Sequence, residues 1–316
     1  MNKAVLLVTF NRKDYLTQVF AAVAKAKPPR LYLASDGPRT NKPGEQEVVE
    51  DIRKWMLENV TWPCDVKTRF LEMNSGGCGP GVSGAVTWFF QNEKDGIILE
   101  DDCVPVQSFF RFCEELLDRY ADDRRVWHVA GDAPIDADIN ETYYFAKTMH
   151  CWGWAGWADR WKYFDLHAYD YSDEVYRSIS ANRRIQRFWR RTMKRCRCGE
   201  IETWDFQWIM TIIARRGLCA TPAHPLVSNI GDIGVHPQPP AGTRLHRHAE
   251  DIDGKIVHPS EVKVNARLSQ RLLEEAFPCS ASCEMSYLAK LILKAILPSV
   301  FRNRSRARFN LQSEFN

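Results

Sequence analysis

The chain of 316 residues has a hydrophobic content of 45%, a charged content of 26% and a net charge of +3, values typical of a globular protein. This length can form one large domain, or two smaller ones, with a substantial core. The net charge is too small to argue for a nucleic-acid partner, and no segment approaches the ~20 apolar residues of a membrane span.

The first third of the chain alternates predicted strands and helices. The near-continuous apolar run 4–10 is typical of a strand buried on both faces of a parallel sheet. Strands are predicted again over 31–35 and 65–71, and the segments 15–26 and 45–58 between them carry apolar residues at helical spacing. This βαβαβ order predicts a right-handed, doubly wound, mostly parallel sheet with helices on both faces.

A glycine-rich segment over 74–81 leads into a predicted helix over 82–91. Backbone N–H groups in such a turn can bind an anion at the N-terminus of the helix. Because the segment matches neither the Walker pattern nor the dinucleotide-binding glycine pattern, a simple turn is an equal alternative.

Three consecutive carboxylates, Glu100, Asp101 and Asp102, follow a predicted strand over 96–99. Adjacent acids repel one another unless a cation lies among them, and Mg²⁺ and Mn²⁺ prefer carboxylate oxygens. In open α/β sheets ligands bind beyond the carboxyl ends of the strands. The triplet therefore predicts a divalent metal that holds a phosphorylated substrate. The alternative is a solvated acidic loop before a helix over 104–120, whose N-terminus favours negative charge.

Aromatic and basic segments follow a further predicted strand over 126–130. The tryptophans interleaved with glycines over 152–157 indicate either core packing or a sugar-binding wall. The basic segment 173–197 favours either a solvated helix face or a surface for an anionic acceptor or a membrane. Asp205 lies between Trp204 and Phe206, where a partly desolvated carboxylate would be a better base, unless it is only the first residue of a helix.

The end of the chain changes character after a glycine-rich loop over 226–236 that ends in His236. From residue 261 the pattern is wholly helical, so we expect a domain over 1–258 and a helical, basic extension over 259–316. Apolar residues over 285–301 recur every three or four positions, and a basic cluster over 302–308 follows. Residues 285–308 are therefore predicted to lie on an anionic membrane surface, unless the apolar face packs on the larger domain.

The ten cysteines are scattered, and neither close pair, Cys196 with Cys198 or Cys279 with Cys283, has a second pair at zinc-binding spacing. The apolar run near the start is too short for a signal peptide. We therefore expect reduced thiols and a cytoplasmic protein, with peripheral attachment to the inner face of the membrane as an option through 285–308.

Taken in order, these pieces resemble the GT-A nucleotide-sugar glycosyltransferases, and most closely the N-acetylglucosaminyltransferase I family, over roughly residues 1–240. The resemblance is carried by the following segments in sequence: Val8–Arg12, Ser35–Asp36, Glu100–Asp102, Ser108–Phe110, Trp152–Trp154 and Trp204–Asp205. Each motif is weak by itself, and the order and spacing make the set specific.

The resemblance implies a role for each matching residue. Asp102 would bind the metal, Mn²⁺ or Mg²⁺, and His236 would lie against the metal or the diphosphate. Asp205 would be the catalytic base. The remaining implied contacts are to the nucleotide-sugar: Asp101 to the ribose, Glu100 to the donor sugar, Asp36 to uracil, Thr9, Asn11 and Arg12 near the base and ribose, and Trp154 in the glycine–tryptophan loop.

The implied activity is metal-dependent, inverting transfer of a sugar from a UDP-sugar to a hydroxyl of a glycan or a lipid-linked saccharide, with UDP-N-acetylglucosamine as the donor by resemblance alone. Two departures from the family are visible. Phe206–Gln207 replaces a second acid and its neighbour, and we expect no N-terminal membrane anchor, whereas the relatives have one.

Two other classes of function stay open. A sugar-nucleotide nucleotidyltransferase would normally have a glycine-rich basic loop after the first strand, where this chain has Thr9–Lys13 without glycine. A non-catalytic carbohydrate-binding module would not need the carboxylate triplet.

Overall fold

The computed structural model describes residues 1–231 and 248–277. The strands in these residues are β1 (Val5–Thr9), β2 (Arg30–Ser35), β3 (Asp65–Phe70), β4 (Asp95–Glu100), β5 (Cys103–Pro105), β6 (Val126–Ala130), β7 (Tyr143–Ala146), β8 (Trp154–Trp157), β9 (Leu218–Pro222) and β10 (Val227–Asn229). The helices are α1 (Lys13–Ala26), α2 (Glu45–Glu58), α3 (Cys78–Asn92), α4 (Gln107–Arg119), α5 (Ala158–Trp161), α6 (Asp173–Ile179), α7 (Arg183–Arg197), α8 (Asp205–Ala214) and α9 (Ala266–Ala276).

The described residues form an eight-stranded sheet in the order β3-β2-β1-β4-β8-β6-β9-β7. Strands β1 to β4 pair in parallel. Strand β8 is antiparallel to both β4 and β6, while β6 and β9 are parallel and β7 is antiparallel to β9. Six of the eight strands therefore run in one direction, and the short β10 pairs with β5 in a separate ladder.

Helices cover both faces of this sheet because successive side chains of a strand point to opposite sides. In β1, Val5 and Leu7 pack in a core cluster with α1, α2 and α4. Ala4 and Leu6 pack in a second cluster with α3, α7 and α8. The predicted fold class, a mostly parallel α/β sheet with helices on both faces, is confirmed.

Strand β1 marks the point where the order of the sheet reverses. The chain runs from β1 outward to β2 and β3, and then returns so that β4 pairs with the other edge of β1. Val8 of β1 is in register with Glu100 of β4, so both strands end at the same edge. Ligands of doubly wound sheets bind at such a switch point.

Most predicted elements lie within a few residues of the observed ones, and three differ. Helix α3 begins at Cys78, so half of the predicted glycine-rich turn is its first turn. The tryptophan segment contains β8 rather than only a loop. The basic segment is broken at 180–182 into α6 and α7, and α7 buries one apolar stripe that includes Trp189 and Met193.

The described part of the predicted extension packs on the sheet. Leu268 and Leu272 of α9 share a core cluster with Tyr144 of β7, and the Asn265 N–H donates to the Phe145 carbonyl at 2.8 Å. Residues 285–308, the predicted membrane-binding segment, lie outside the described residues. Within the described part of the chain, no helix is long and apolar enough to cross a membrane.

Candidate active site

The carboxylate triplet lies at the switch point, where one guanidinium joins two of its members. Arg12, from the loop after β1, forms ion pairs with Asp101 and, over 2.8 Å, with Asp102. The Thr9 hydroxyl donates to Oδ2 of Asp101 at 3.1 Å. Asp101 is buried, whereas Glu100 and Asp102 retain some exposure. The loop after β1 and the end of β4 thus form one polar cluster, as the strand-end prediction requires.

Negative charge is in excess in this cluster. Burial and the neighbouring charges of Asp102 and Asp101 raise the pKa of Glu100 to about 8, although Arg12 opposes the shift. Burial also raises the pKa of Asp101, again against Arg12. The ionised forms of these two carboxyls are therefore disfavoured, first by burial and then by the neighbouring carboxylates.

The donor set fits a divalent cation that is held partly by a substrate. Asp102 offers a carboxylate at the rim, with Oδ1 3.4 Å from the Asn229 amide and Oδ2 against Arg12. The described residues contain no group of three His, Cys, Asp or Glu side chains able to hold a metal by themselves. A cation bound at Asp102 would therefore need oxygen ligands from a bound diphosphate, which is the usual way in which Mg²⁺ is held.

Asp36, predicted to contact uracil, holds the glycine-rich segment in this structure. Its carboxylate accepts from the N–H groups of Gly37 and Ser75, from the Ser75 hydroxyl and from the Asn74 amide, at 2.8–3.1 Å. Beside it, Asn11 donates to Glu45 at 3.0 Å. These bonds link the loops after β1, β2 and β3 at one edge.

The other end of the glycine-rich segment packs on the residues that precede α8. The Gly79 N–H donates to Oε1 of Glu202 at 2.8 Å. Gly77 lies against the same carboxylate and has φ +136°, a backbone conformation that favours glycine. The glycine-rich segment therefore connects Asp36 to the residues that precede Asp205 in the chain.

Asp205 is the first residue of α8 and is held in one orientation. Its Oδ1 accepts from the Thr203 hydroxyl and from the Phe206 N–H at 2.9 Å. Its Oδ2 has a weak contact with the Cys151 thiol at 3.9 Å. The charge of Asp205 contributes to the raised pKa of Glu100, and both charges contribute to that of the Cys78 thiol, after burial. Trp204, the residue before Asp205, stacks on Trp154, which pairs with Ile98 of β4. Asp205 therefore lies close enough to the triplet to act on Glu100 electrostatically.

Trp154 requires a correction. The indole is 1% exposed and stacks on His128 and Trp204, with ring centroids 4.9 and 5.8 Å apart. Trp157 and Trp161 are buried as well. The position of Trp154 in β8 supports core packing, the alternative weighed from the sequence, and does not support a sugar-binding wall.

Two segments next to the site bear on the remaining sequence predictions. The Ile230 N–H donates to the Asp102 carbonyl at 2.9 Å, so the chain passes Asp102 just before residue 232. His236 itself lies outside the described residues.

Gln207 is buried and donates to the Leu166 carbonyl at 3.2 Å, which indicates a structural role for this side chain.

Three further polar residues in the neighbourhood of Asp205 were not predicted from the sequence: Asp132, His150 and Cys151. Asp132 follows β6 as the triplet follows β4, and this signal of an acid just after a buried strand was available. His150 and Cys151 precede β8, and nothing in their local pattern indicates that they lie near Asp205.

The chain matches no protein-family model and no curated protein. Among solved structures it is similar to a UDP-glucose pyrophosphorylase complexed with UDP-glucose, with 9% identity, 72% of this chain and 93% of that chain covered, and a TM-score of 0.38. It is also similar to the glycosyltransferase GlyE of Streptococcus pneumoniae TIGR4, with 12% identity and a TM-score of 0.35. That match covers 69% of this chain and 45% of the GlyE chain. Such distant likenesses identify no activity for this chain.

Proposed function

We propose that this protein transfers a sugar from a UDP-sugar to an acceptor hydroxyl, with inversion at the anomeric carbon. The observation that carries the proposal is the position of Asp205, which follows a tryptophan packed on β8 beside β4 and acts electrostatically on Glu100 of the triplet at the switch point of the sheet. A triplet alone would serve metal binding in many enzymes. A fixed carboxylate from the other half of the chain adds the group that a hydroxyl acceptor needs.

The first half of the chain would bind the donor. Asp102 would hold Mn²⁺ or Mg²⁺ together with the donor diphosphate, and His236 is a proposed additional ligand. When bound, the metal would neutralise negative charge on the departing diphosphate. Asp101 is held by Arg12 and Thr9 and would fix the ribose, while Glu100 at the end of β4 would face the donor sugar.

Asp205 would take the proton of the acceptor hydroxyl as its oxygen attacks the anomeric carbon. The Thr203 and Phe206 bonds fix Oδ1, so Oδ2 is the oxygen placed to accept that proton. The proposed acceptor is a glycan or lipid-linked saccharide, and UDP-N-acetylglucosamine is the first donor to test.

Slow hydrolysis of sugar nucleotides is the direct test, because water can replace the unknown acceptor. The protein is incubated with UDP-, GDP- and CMP-sugars, with and without Mn²⁺. We expect Mn²⁺-dependent release of UDP from a UDP-sugar, with the inverted anomer detected first by NMR. Formation of UTP on addition of pyrophosphate would instead show a nucleotidyltransferase, and binding without turnover would indicate a carbohydrate-binding module.

A further inference from the structure

A histidine–aspartate pair lies at the same edge of the sheet, outside the residues used so far. Asp132 follows β6 after Gly131, and the Gly131 N–H donates to the Gly153 carbonyl at 2.7 Å. Gly153 in turn lies against Leu99 of β4. These contacts place the segment that contains His150 across the strand ends where Glu100 emerges.

The two side chains form an ion pair that leaves polar atoms unused. Nδ1 of His150 lies against Oδ2 of Asp132. Asp132 is 3% exposed, and its other oxygen, Oδ1, is buried without a hydrogen-bond partner among residues 1–231 and 248–277. A buried, unpartnered carboxylate oxygen is costly and is expected where a ligand or water completes the bonding.

The remaining nitrogen of His150 is suited to a ligand. Nδ1 is occupied by the ion pair with Asp132, although without a hydrogen bond of regular geometry among the described residues. Nε2 is therefore the nitrogen left to bond a ligand, and the side chain retains 15% exposure. The half-buried Trp152 indole meets the imidazole edge to face, with ring centroids 4.6 Å apart. An aromatic ring beside a hydrogen-bonding group is a combination that suits the apolar face and the hydroxyls of a pyranose.

The surrounding charge selects a neutral ligand. Asp132 and Asp205 both act electrostatically on His150, and Asp205 also acts on Glu100. This excess of carboxylates would repel a phosphate group whose charge no bound cation neutralises. A hydroxyl can donate to a neutral imidazole or accept from a protonated one, so it fits Nε2 in either state.

We propose that His150, held in place by Asp132, hydrogen-bonds a hydroxyl of the sugar that reacts beside Asp205. The inference rests on the proposed glycosyl transfer and adds a sugar-binding residue to it. The hydroxyl belongs either to the donor sugar or to the acceptor, since both meet at Asp205. Asp132 is then a positioning residue, which acts through His150.

The test compares binding of the sugar with binding of the nucleotide. His150→Gln and the isosteric Asp132→Asn are measured beside His224→Gln, a control on an exposed histidine. For each Mn²⁺-loaded protein, Kd is measured for UDP and for UDP-N-acetylglucosamine, and initial transfer to a panel of methyl glycosides is measured at saturating donor. Asp132→Asn keeps the test valid if His150→Gln folds poorly.

If the hydroxyl is on the donor, both variants bind UDP-N-acetylglucosamine about tenfold more weakly and bind UDP as wild type does. If it is on the acceptor, both Kd values are unchanged and KM for the methyl glycosides rises about tenfold. The inference is overturned if neither sugar parameter changes, or if affinity for UDP falls in parallel with that for UDP-N-acetylglucosamine. Wild-type protein that binds no UDP would instead overturn the proposed function.

Discussion

The two halves of the sheet supply their polar residues in different ways. In the parallel half, β1 to β4, the side chains at the site come from the residues at or just after each strand end, such as Arg12 after β1 and Asp36 after β2. In the mixed half, β6 to β9, they come from a strand end, from a loop that precedes a strand and from a helix N-terminus: Asp132, His150 and Asp205. Under the proposed function, the parallel half would bind the nucleotide, and the mixed half would bind the sugar and take the proton.

The direction of β8 explains the difference. Parallel strands joined by crossovers all place their carboxyl ends at one edge. Strand β8 is antiparallel to β4, with Trp154 opposite Ile98 and Trp157 opposite Asp95. Its beginning therefore lies at the edge where β4 ends, and the residues that precede β8 reach the site. A prediction that considers only polar residues just after a strand therefore omits them.

The largest expected effect is a loss of turnover without a loss of UDP-sugar affinity, caused by a substitution in the mixed half. Asp205→Asn keeps the shape of the side chain but removes the base, so turnover should fall by ~10²–10⁴-fold, while affinity for the UDP-sugar stays within several-fold. Steady-state hydrolysis and calorimetry measure the two quantities.

Asp138→Asn is the matched control, because Asp138 is exposed in the segment between β6 and β7. Its turnover should equal that of wild type. Turnover that survives in Asp205→Asn would mean that another residue is the base and that the division between the halves is misplaced.

The second effect concerns nucleotide binding in the parallel half. If Asp102 helps to hold a metal together with the diphosphate, Mn²⁺ should tighten UDP binding by about 5–150-fold, the usual range of coupling between two ligands. In Asp102→Ala the tightening by Mn²⁺ should disappear. Calorimetry of UDP with and without Mn²⁺ measures it, with circular dichroism to verify folding.

Asp118→Ala serves as the control, since this acid also lies outside the site and is paired with Lys3. If a folded Asp102→Ala protein keeps the full Mn²⁺ effect, Asp102 does not bind the metal. The parallel half would then have no assigned metal ligand.

A smaller effect tests the corrected role of Trp154. Because the indole is buried between His128 and Trp204, Trp154→Phe should lower the free energy of unfolding by roughly 1–2 kcal/mol through lost packing. The KM for the UDP-sugar should not change in the same protein. Urea unfolding and hydrolysis kinetics measure the two. A raised KM with unchanged stability would restore the sugar-binding role.

The smallest effect is the pH dependence that His150 adds to stability. Burial lowers the pKa of His150, but the charge of Asp132, the bond to it and the charge of Asp205 together raise it above 6.5. A histidine with a raised folded pKa stabilises the fold below its unfolded pKa, and the contribution is lost as pH rises through the raised value. Wild type should therefore exceed His150→Gln in Tm by more at pH 6 than at pH 9.

The other groups near His150 do not reverse this expectation. Burial lowers the pKa of His128 to about 3, so that imidazole is neutral across the range. The raised pKa of Glu100 also makes the folded state less stable as pH rises. This effect is present in wild type and in His150→Gln, so it cancels in the difference between their Tm values. A Tm difference that is constant or larger at pH 9 would contradict the ion pair with Asp132.

The sequence by itself determined the parallel half and its polar residues. Burial of β1 on both faces leaves an apolar run in the sequence, and crossover connections place the strand ends at one edge, so the triplet and the loop after β1 could be assigned to one site. The sequence also indicated Asp205, through its position between aromatic residues at a helix start and through the family resemblance.

Only the tertiary structure decided which residues of the second half join that site. Trp154 and Trp152 have the same residue type and similar surroundings in sequence, yet Trp154 is 1% exposed and Trp152 is half-buried beside His150. The pairing of β8 with β4 and β6 determines this, because it decides which side chains face the core and which loop lies over the strand ends. The pairs of β4 with β8 are more than fifty positions apart and those of β6 with β8 more than twenty, so local sequence patterns do not reveal them.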